Sequence, residues 1–256
     1  MTINALMIGD VMGKPGRSAV QGLLQDLRRE FDVDLVIANA ENATNGRGVS
    51  LKHAEELLSS GVDLLTSGNH IWDQKEIIPY LDSELPLLRP FNYPDGVPGR
   101  GWCIIQGVMV VNAMGRAFMP ETDCPFRGMD RMLNQPDLPK VIIVDFHAEA
   151  TSEKVAMGWY LDGRVSAVCG THTHVPTADL RILPKGTAHV SDIGMTGPVN
   201  SIIGCDVEAV LSRFLTAMPK AMPVAEGPAV LNAVLLQIDD STGKSAGIRR
   251  ISRAWE

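Results

Sequence analysis

The order in which apolar runs and polar clusters alternate constrains this chain more than any single motif. Ile3 to Ile8 is an apolar run that Gly9-Asp10 ends. From about Pro15 to Glu30, Val20, Leu23, Leu24 and Leu27 recur at helical spacing, and Pro15 suits a first helical turn. Leu35 to Ala38 reads as a second buried strand, closed by Asn39-Ala40-Glu41-Asn42. A glycine-containing loop, Thr44 to Gly48, precedes Ser50, an N-cap for a helix carrying Leu57 and Leu58. Val62 to Thr66 is a third strand, followed by Ser67-Gly68-Asn69-His70. Strands alternating with helices predict a sheet of parallel character joined by crossovers. Ligands of such sheets gather beyond the carboxyl ends of the strands. Every polar cluster in this stretch falls at such an end.

The middle is less regular. Residues 86 to 101 contain Pro86, Pro90, Pro94 and Pro98 and read as a long ordered loop. Trp102 to Gln106 and Val108 to Met114 straddle Gly107 as a hairpin. Val141 to Val144 leads into Asp145-Phe146-His147, and Ser166 to Val168 into Cys169-Gly170-Thr171-His172-Thr173-His174. Val230 to Ile238 and Gly247 to Arg253 predict further strands, expected to build a second sheet.

Composition bounds the reading. At 256 residues, 45% hydrophobic and 21% charged, the chain can bury one substantial core, and a single domain over residues 1–256 is expected. A net charge of -7 argues against an extended nucleic-acid footprint, while leaving room for a local basic rim around a phosphorylated ligand. Cys103, Cys124, Cys169 and Cys205 are scattered without a CxxC pair and read as reduced thiols. With neither a signal peptide nor an 18-residue apolar span, the expectation is a cytoplasmic protein with no membrane association.

Asp10, Glu41 and Asn69 place hard oxygen donors at three strand ends, and His147, His172 and His174 add three imidazoles. His-x-His on an extended segment would put both rings on one face, because side chains alternate with period two. Taken singly each residue has a plainer reading: Asp10 as a helix cap, Asn69 as a turn residue, Glu41 as a solvated carboxylate. Together, carboxylates and imidazoles with no cysteine suit first-row divalent metals better than a structural zinc knot. Six or seven donors exceed the needs of one open catalytic ion, so the pattern points to two.

The series Gly9-Asp10, Glu41-Asn42, Gly68-Asn69-His70, His147 and Gly170-Thr171-His172-Thr173-His174 resembles the signature of calcineurin-like metallophosphoesterases. More narrowly the chain is similar to the YmdB-like bacterial phosphodiesterases. The similarity runs through GDVMGKPGR, NAENATNGRG, GNHIWD, RPFNYP, FHAEATSEK, GTHTHVPT and SDIGMTGP, nearly the whole chain. Two departures from the wider superfamily are shared with that group. Asp10 is followed by Val11 and Met12 rather than by a ligating histidine at the second position, and Glu41 stands where an aspartate is usual.

The resemblance implies an α/β fold, a four-layer α/β/β/α sandwich. It implies two metals, with Asp10, Glu41, His174 and the candidate Asn42 around one. Glu41, Asn69, His147 and His172 would hold the other, Glu41 bridging. Iron is the metal implied, and manganese or zinc fits the ligand chemistry. The implied reaction is hydrolysis of a small phosphodiester, with 2',3'-cyclic nucleotides such as 2',3'-cyclic AMP as substrates. A metal-bridging hydroxide would attack and His70 would act as proton donor. Other readings are a phosphomonoesterase or nuclease on the same metals, or a low-turnover nucleotide-binding regulator. The resemblance also allows a homo-oligomer.

Around the cage the residues are less specific. Lys14 and Arg17 read as solvated charges at a helix start, with nucleotide phosphate as the rival role. Arg47 is a candidate for the substrate mouth or a mobile surface arginine. Asp73 is expected to cap the helix toward Tyr80. Glu149 orients a ligand or faces solvent, and His53 and His189 are structural. Gly13-Lys14-Pro15 is no P-loop, since no Ser/Thr follows Lys14, and Gly9-Asp10-Val11-Met12-Gly13 does not supply the GxGxxG of a dinucleotide fold.

Overall fold

Strand β1 (Thr2–Ile8) buries its two faces in different cores: Leu6 and Ile8 belong to one apolar cluster, Ala5 and Met7 to another. A strand that is apolar on both faces needs a layer on each side, and the computed structural model, which describes residues 1–256, supplies both. The remaining strands are β2 (Leu35–Asn39), β3 (Leu64–Thr66), β4 (Trp102–Ile105), β5 (Val108–Met114), β6 (Ile142–His147) and β7 (Ala167–Thr171). Then come β8 (Arg181–Ile182), β9 (Ala188–Val190), β10 (Gly197–Pro198), β11 (Ala229–Asp239) and β12 (Ser245–Trp255). Five α-helices join them: α1 (Gly13–Glu30), α2 (Leu51–Ser59), α3 (Pro125–Leu133), α4 (Thr151–Leu161) and α5 (Val207–Thr216).

Two six-stranded sheets result. The first has the order β10-β11-β1-β2-β3 with β12 paired to β11, and the second β4-β5-β6-β7-β9-β8. Pairing is parallel from β1 through β2 to β3, and from β5 through β6 and β7 to β9. Three clusters mark four layers. Leu24 and Leu27 of α1 and Leu57 of α2 pack on Leu6 and Ile8; Met7, Ile37 and Leu64 meet Val110, Ile143 and Cys169 between the sheets; Met129 of α3 and Met157 of α4 cover Val111 and Val144. This is the expected α/β/β/α sandwich. No helix is long and apolar enough to cross a membrane.

One expectation fails. The carboxy-terminal strands do not build the second sheet: β11 pairs antiparallel with β1, from Thr2↔Asp239 to Ile8↔Ala233, and β12 pairs with β11. The second sheet comes from the middle of the chain instead. The helix at Ser50 forms as read, with the serine side chain accepting from His53 N. The proline-rich loop is pinned by Arg89, which donates to the carbonyls of Pro90 (2.8 Å) and Pro98 (3.1 Å).

The parallel strands aim their carboxyl ends at one place. Asp10 and Glu41 lie two residues beyond β1 and β2, and Asn69 three beyond β3; His147 ends β6 and His172 follows β7 directly. Oxygen donors thus come from the first sheet and imidazoles from the second.

Candidate metal centre

The two sheets are joined beneath the site by a buried polar seam. Asp145 of β6 accepts from Thr66 Oγ1 (2.5 Å) and Asn39 Nδ2 (3.1 Å) of the first sheet and from Thr171 Oγ1 (2.7 Å) of the second. Burial pushes its carboxyl above the ordinary range, although His147 and these three donors oppose the shift. The Thr171 hydroxyl gives its proton to Asp145, so at 2.8 Å it accepts from His147 Nδ1. That fixes the His147 tautomer and aims Nε2 at the site.

Around His147 Nε2 lie Glu41 Oε1 at 2.9 Å, His172 Nδ1 at 3.0 Å and Asn69 Oδ1 at 3.2 Å. Ligand atoms of Glu41, His147 and His172 all fall within 4.8 Å of one another. Burial alone pushes the His147 imidazole down, but the Glu41 carboxylate against it, with Asp10 and Asp145 beyond, lifts it above the ordinary range. Burial likewise raises Glu41, and the His147 ring outweighs it, leaving the carboxylate well below its usual range. His172 is lowered to about 3 by burial and by the neighbouring His147. It is therefore a neutral imidazole, and Glu149 Oε2 accepts a hydrogen bond from its Nε2–H at 3.1 Å, leaving the Nδ1 lone pair free for a cation. Glu149 thus orients the ring.

A second set of donors stands beside the first. His174 Nδ1 donates to the Ile203 carbonyl at 2.8 Å, which leaves Nε2 as a lone pair. It faces Asn42 Oδ1 at 3.2 Å, while the Asn42 amino group donates to Gly46 O at 3.0 Å. Two acceptors face each other with no proton between them, an arrangement a cation satisfies. Asp10 is fully buried; its Oδ2 accepts from His172 N at 3.2 Å, and its Oδ1 has no hydrogen-bond partner. Burial raises its pKa in spite of His174 and His147. An orphaned buried carboxylate oxygen is costly unless something positive compensates it. The donor set fits metal ions on both counts.

His172 and His174 are not on an extended segment. Strand β7 stops at Thr171, and the two histidines have φ of 101° and 67°. The rings consequently diverge, one toward His147 and the other toward Asn42. The strained loop is held from behind by a buried ion pair that sequence reading missed. Asp192 Oδ2 accepts from Thr173 N (3.0 Å) and Thr173 Oγ1 (2.8 Å), and Lys154 Nζ donates to that oxygen (2.5 Å) and to Thr171 O (2.7 Å). Asp145 and Lys154 interrupt otherwise apolar or amphipathic patterns, the one signal that marked them.

His70 stands at the edge. Its backbone N–H donates to Glu41 Oε2 at 3.2 Å, and its Nδ1 meets Asp73 Oδ2 at 2.9 Å. Asp73 is thus no helix cap: the 3-10 turn Lys75–Tyr80 begins at Gln74 without a side-chain cap. Gly68 has to be glycine, since a Cβ there would overlap the His147 ring and the Glu41 carboxylate. Met12, in place of the superfamily histidine, is buried among Gly46, Gly197 and Gly204, where side chains would collide with it. Arg17 is not solvated: it is buried, donating to Ala43 O (2.5 Å) and pairing with Glu56 (3.0 Å), and so braces the Glu41 loop. Lys14 is exposed on a separate surface groove. His53 meets Thr44 Oγ1 at 2.7 Å, and His189 is buried in the second sheet.

Above the donors opens a cavity of about 520 Å³, walled by Glu41, His70, His172 and His174, by Arg47, and by Arg213, Lys220 and Met222. Comparison with known proteins gives one answer. The family model described as "YmdB-like protein" matches residues 6–251. A Bacillus subtilis protein named 2',3'-cyclic-nucleotide 2'-phosphodiesterase is 47% identical over 251 residues, 96% of this chain and 95% of that one. A Thermus thermophilus structure described as a hypothetical protein superposes with a TM-score of 0.93 at 46% identity, covering 99% of this chain and 100% of that one. A structure described as a novel phosphatase from Mycoplasma pneumoniae has a TM-score of 0.94 at 37% identity, covering 99% and 94%.

Proposed function

The chain belongs to the YmdB-like family of phosphoric ester hydrolases with the calcineurin-like fold, and from that premise we propose a single-domain, dinuclear metal-dependent phosphodiesterase. Its substrates are small phosphodiesters, 2',3'-cyclic nucleotides such as 2',3'-cyclic AMP foremost. Asp10, Glu41, Asn42 and His174 would hold one ion and Glu41, Asn69, His147 and His172 the other. Iron is the proposed metal, with manganese or zinc compatible. When bound, such ions neutralise phosphoryl oxygens and ready a water for attack at neutral pH.

The chain's own residues do the rest. Thr171 and Glu149 orient His147 and His172 so that Nε2 of the first and Nδ1 of the second turn inward. Asp192 and Lys154 hold the His172–His174 loop in its strained conformation. Asp73 occupies His70 Nδ1, which leaves Nε2 to donate a proton to the leaving oxygen. The observation that carries the reading is this last one: His70, oriented by a carboxylate, lines the same cavity as the metal donors. A regulator that only bound nucleotide would have no use for a positioned proton donor.

A Mycoplasma pneumoniae relative named putative phosphatase/phosphodiesterase, 39% identical over 254 residues, favours phosphomonoesters as a second substrate class. A nuclease groove is disfavoured by the net charge of -7. Four free cysteines suit a reducing cytoplasm. The test is hydrolysis of 2',3'-cyclic AMP by iron- or manganese-loaded protein beside His70→Ala and Glu41→Ala. Both variants should lose activity; unchanged turnover in both would overturn the site.

A further inference from the structure

The cavity contains cations that the chemistry above does not use. Arg213 of α5 and Lys220 beyond it line the same cavity as His70 and His174. Neither has a carboxylate partner within 4.0 Å; the only side-chain hydrogen bond of Arg213 is a weak one from Nη1 to Met222 Sδ at 3.5 Å. Elsewhere Arg17 pairs with Glu56, Arg28 with Asp63, Lys154 with Asp192, Arg164 with Asp130 and Arg253 with Glu30. The chain as a whole carries a charge of -7, yet Arg213 and Lys220, both exposed, bring two unpaired cations to the one cavity that also holds the metal donors. The two carboxylates lining the cavity, Glu41 and Glu149, are engaged with His147 and His172.

A simple phosphodiester has one negative charge, and the proposed metals and His70 already face it. Two further cations on the cavity wall have work only if the ligand carries a second anion. We propose that Arg213 and Lys220 form a subsite for a second phosphate, so that the preferred substrates are small phosphodiesters bearing a terminal phosphate. This deepens, and rests on, the phosphodiesterase reading of the site. A terminal phosphate carries about -1.5 to -2 charge at pH 7 and three acceptor oxygens. The planar fork of an arginine suits two of these, and a lysine ammonium a third. The same chemistry is offered by a 5'-phosphorylated 2',3'-cyclic nucleotide and by a 5'-phosphorylated dinucleotide.

Binding tests the subsite without turnover. Manganese-loaded protein is titrated calorimetrically, at one ionic strength, with adenosine 3'-phosphate and with adenosine 3',5'-bisphosphate. The second phosphate should tighten Kd about tenfold in the unaltered protein. In Arg213→Gln/Lys220→Gln that advantage should vanish. Equal affinity for the two ligands in the unaltered protein overturns the subsite. So does a double variant that weakens both by the same factor, which would mean general electrostatic attraction only. Comparing kcat/KM for the 5'-phosphorylated cyclic nucleotide and dinucleotide then identifies which source the cavity prefers. Hydrolysis of bis(p-nitrophenyl) phosphate in the same samples reports separately on the phosphodiesterase reading: its absence would sink that reading while the titration still decides the subsite.

Discussion

His70 Nδ1 and Asp73 Oδ2 lie 2.9 Å apart, so the imidazole is oriented by a carboxylate of its own loop, three residues away. Asp73→Asn removes the charge and keeps an oxygen. We expect kcat to fall about 10- to 100-fold, as for other outer partners of functional histidines, with KM near that of the unaltered protein. His70→Ala should cost on the order of 10²–10⁴ in kcat. Metal content, measured by elemental analysis, should be unchanged in both. Loss of metal from Asp73→Asn would show that the pair supports the cage rather than the proton donor.

The Lys154–Asp192 pair is buried, and both partners hold the His172–His174 loop. Lys154→Met leaves Asp192 without its cation and should destabilise the protein by about 3–5 kcal/mol in urea titrations. Asp192→Asn removes the carboxylate that anchors Thr173. Metal affinity, followed by calorimetry, should weaken about 10- to 100-fold. Unaltered affinity would mean that the loop holds its positive φ angles unaided.

Gly68→Ala places a methyl group against the His147 ring and the Glu41 carboxylate. Overpacking of this kind costs about 1–3 kcal/mol. The chain should still fold, with a lowered Tm, and retain less metal than the unaltered protein. Full metal occupancy with normal activity would contradict the close approach.

Glu41 holds the His147 imidazole protonated above the ordinary range. A histidine whose folded pKa is raised contributes stability that is complete below its unfolded pKa and fades as pH rises through the folded one. Metal competes with that proton. Titrating metal at pH 7 in two buffers of different ionisation enthalpy should therefore show about one proton released per chain by His147. Release should decline as pH rises beyond the ordinary imidazole range. No dependence on buffer at pH 7 would show that the imidazole is already neutral.

The candidate cage was legible because each of its members is local to a strand end. Asp10, Glu41, Asn69, His147 and His172 follow apolar runs that are buried on both faces, and such runs announce themselves without knowledge of their neighbours. The sheet that β11 joins was not legible, because its partner β1 lies at the other end of the chain. Nothing in Val230 to Ile238 says which of two sheets will accept it. Arg17 looked like a surface charge because its partners, Ala43 and Glu56, are brought near by the β1–β2 pairing. Asp73 has the sequence chemistry of a cap, and only the course of its loop turns it to His70. His-x-His suggested one face, and the left-handed backbone at both histidines separates the rings.

The division of donors between the sheets has a consequence for how the enzyme matures. Asp10, Glu41 and Asn69 hang from one sheet, His147, His172 and His174 from the other, and each half alone presents a partial donor set. A nascent chain with one sheet formed presents only half of the candidate donors, so under the proposed reading metal capture would wait until the two halves have met and the Asp145 seam has closed. Metal held there would then report on assembly, since only a chain whose halves have met offers the complete donor set.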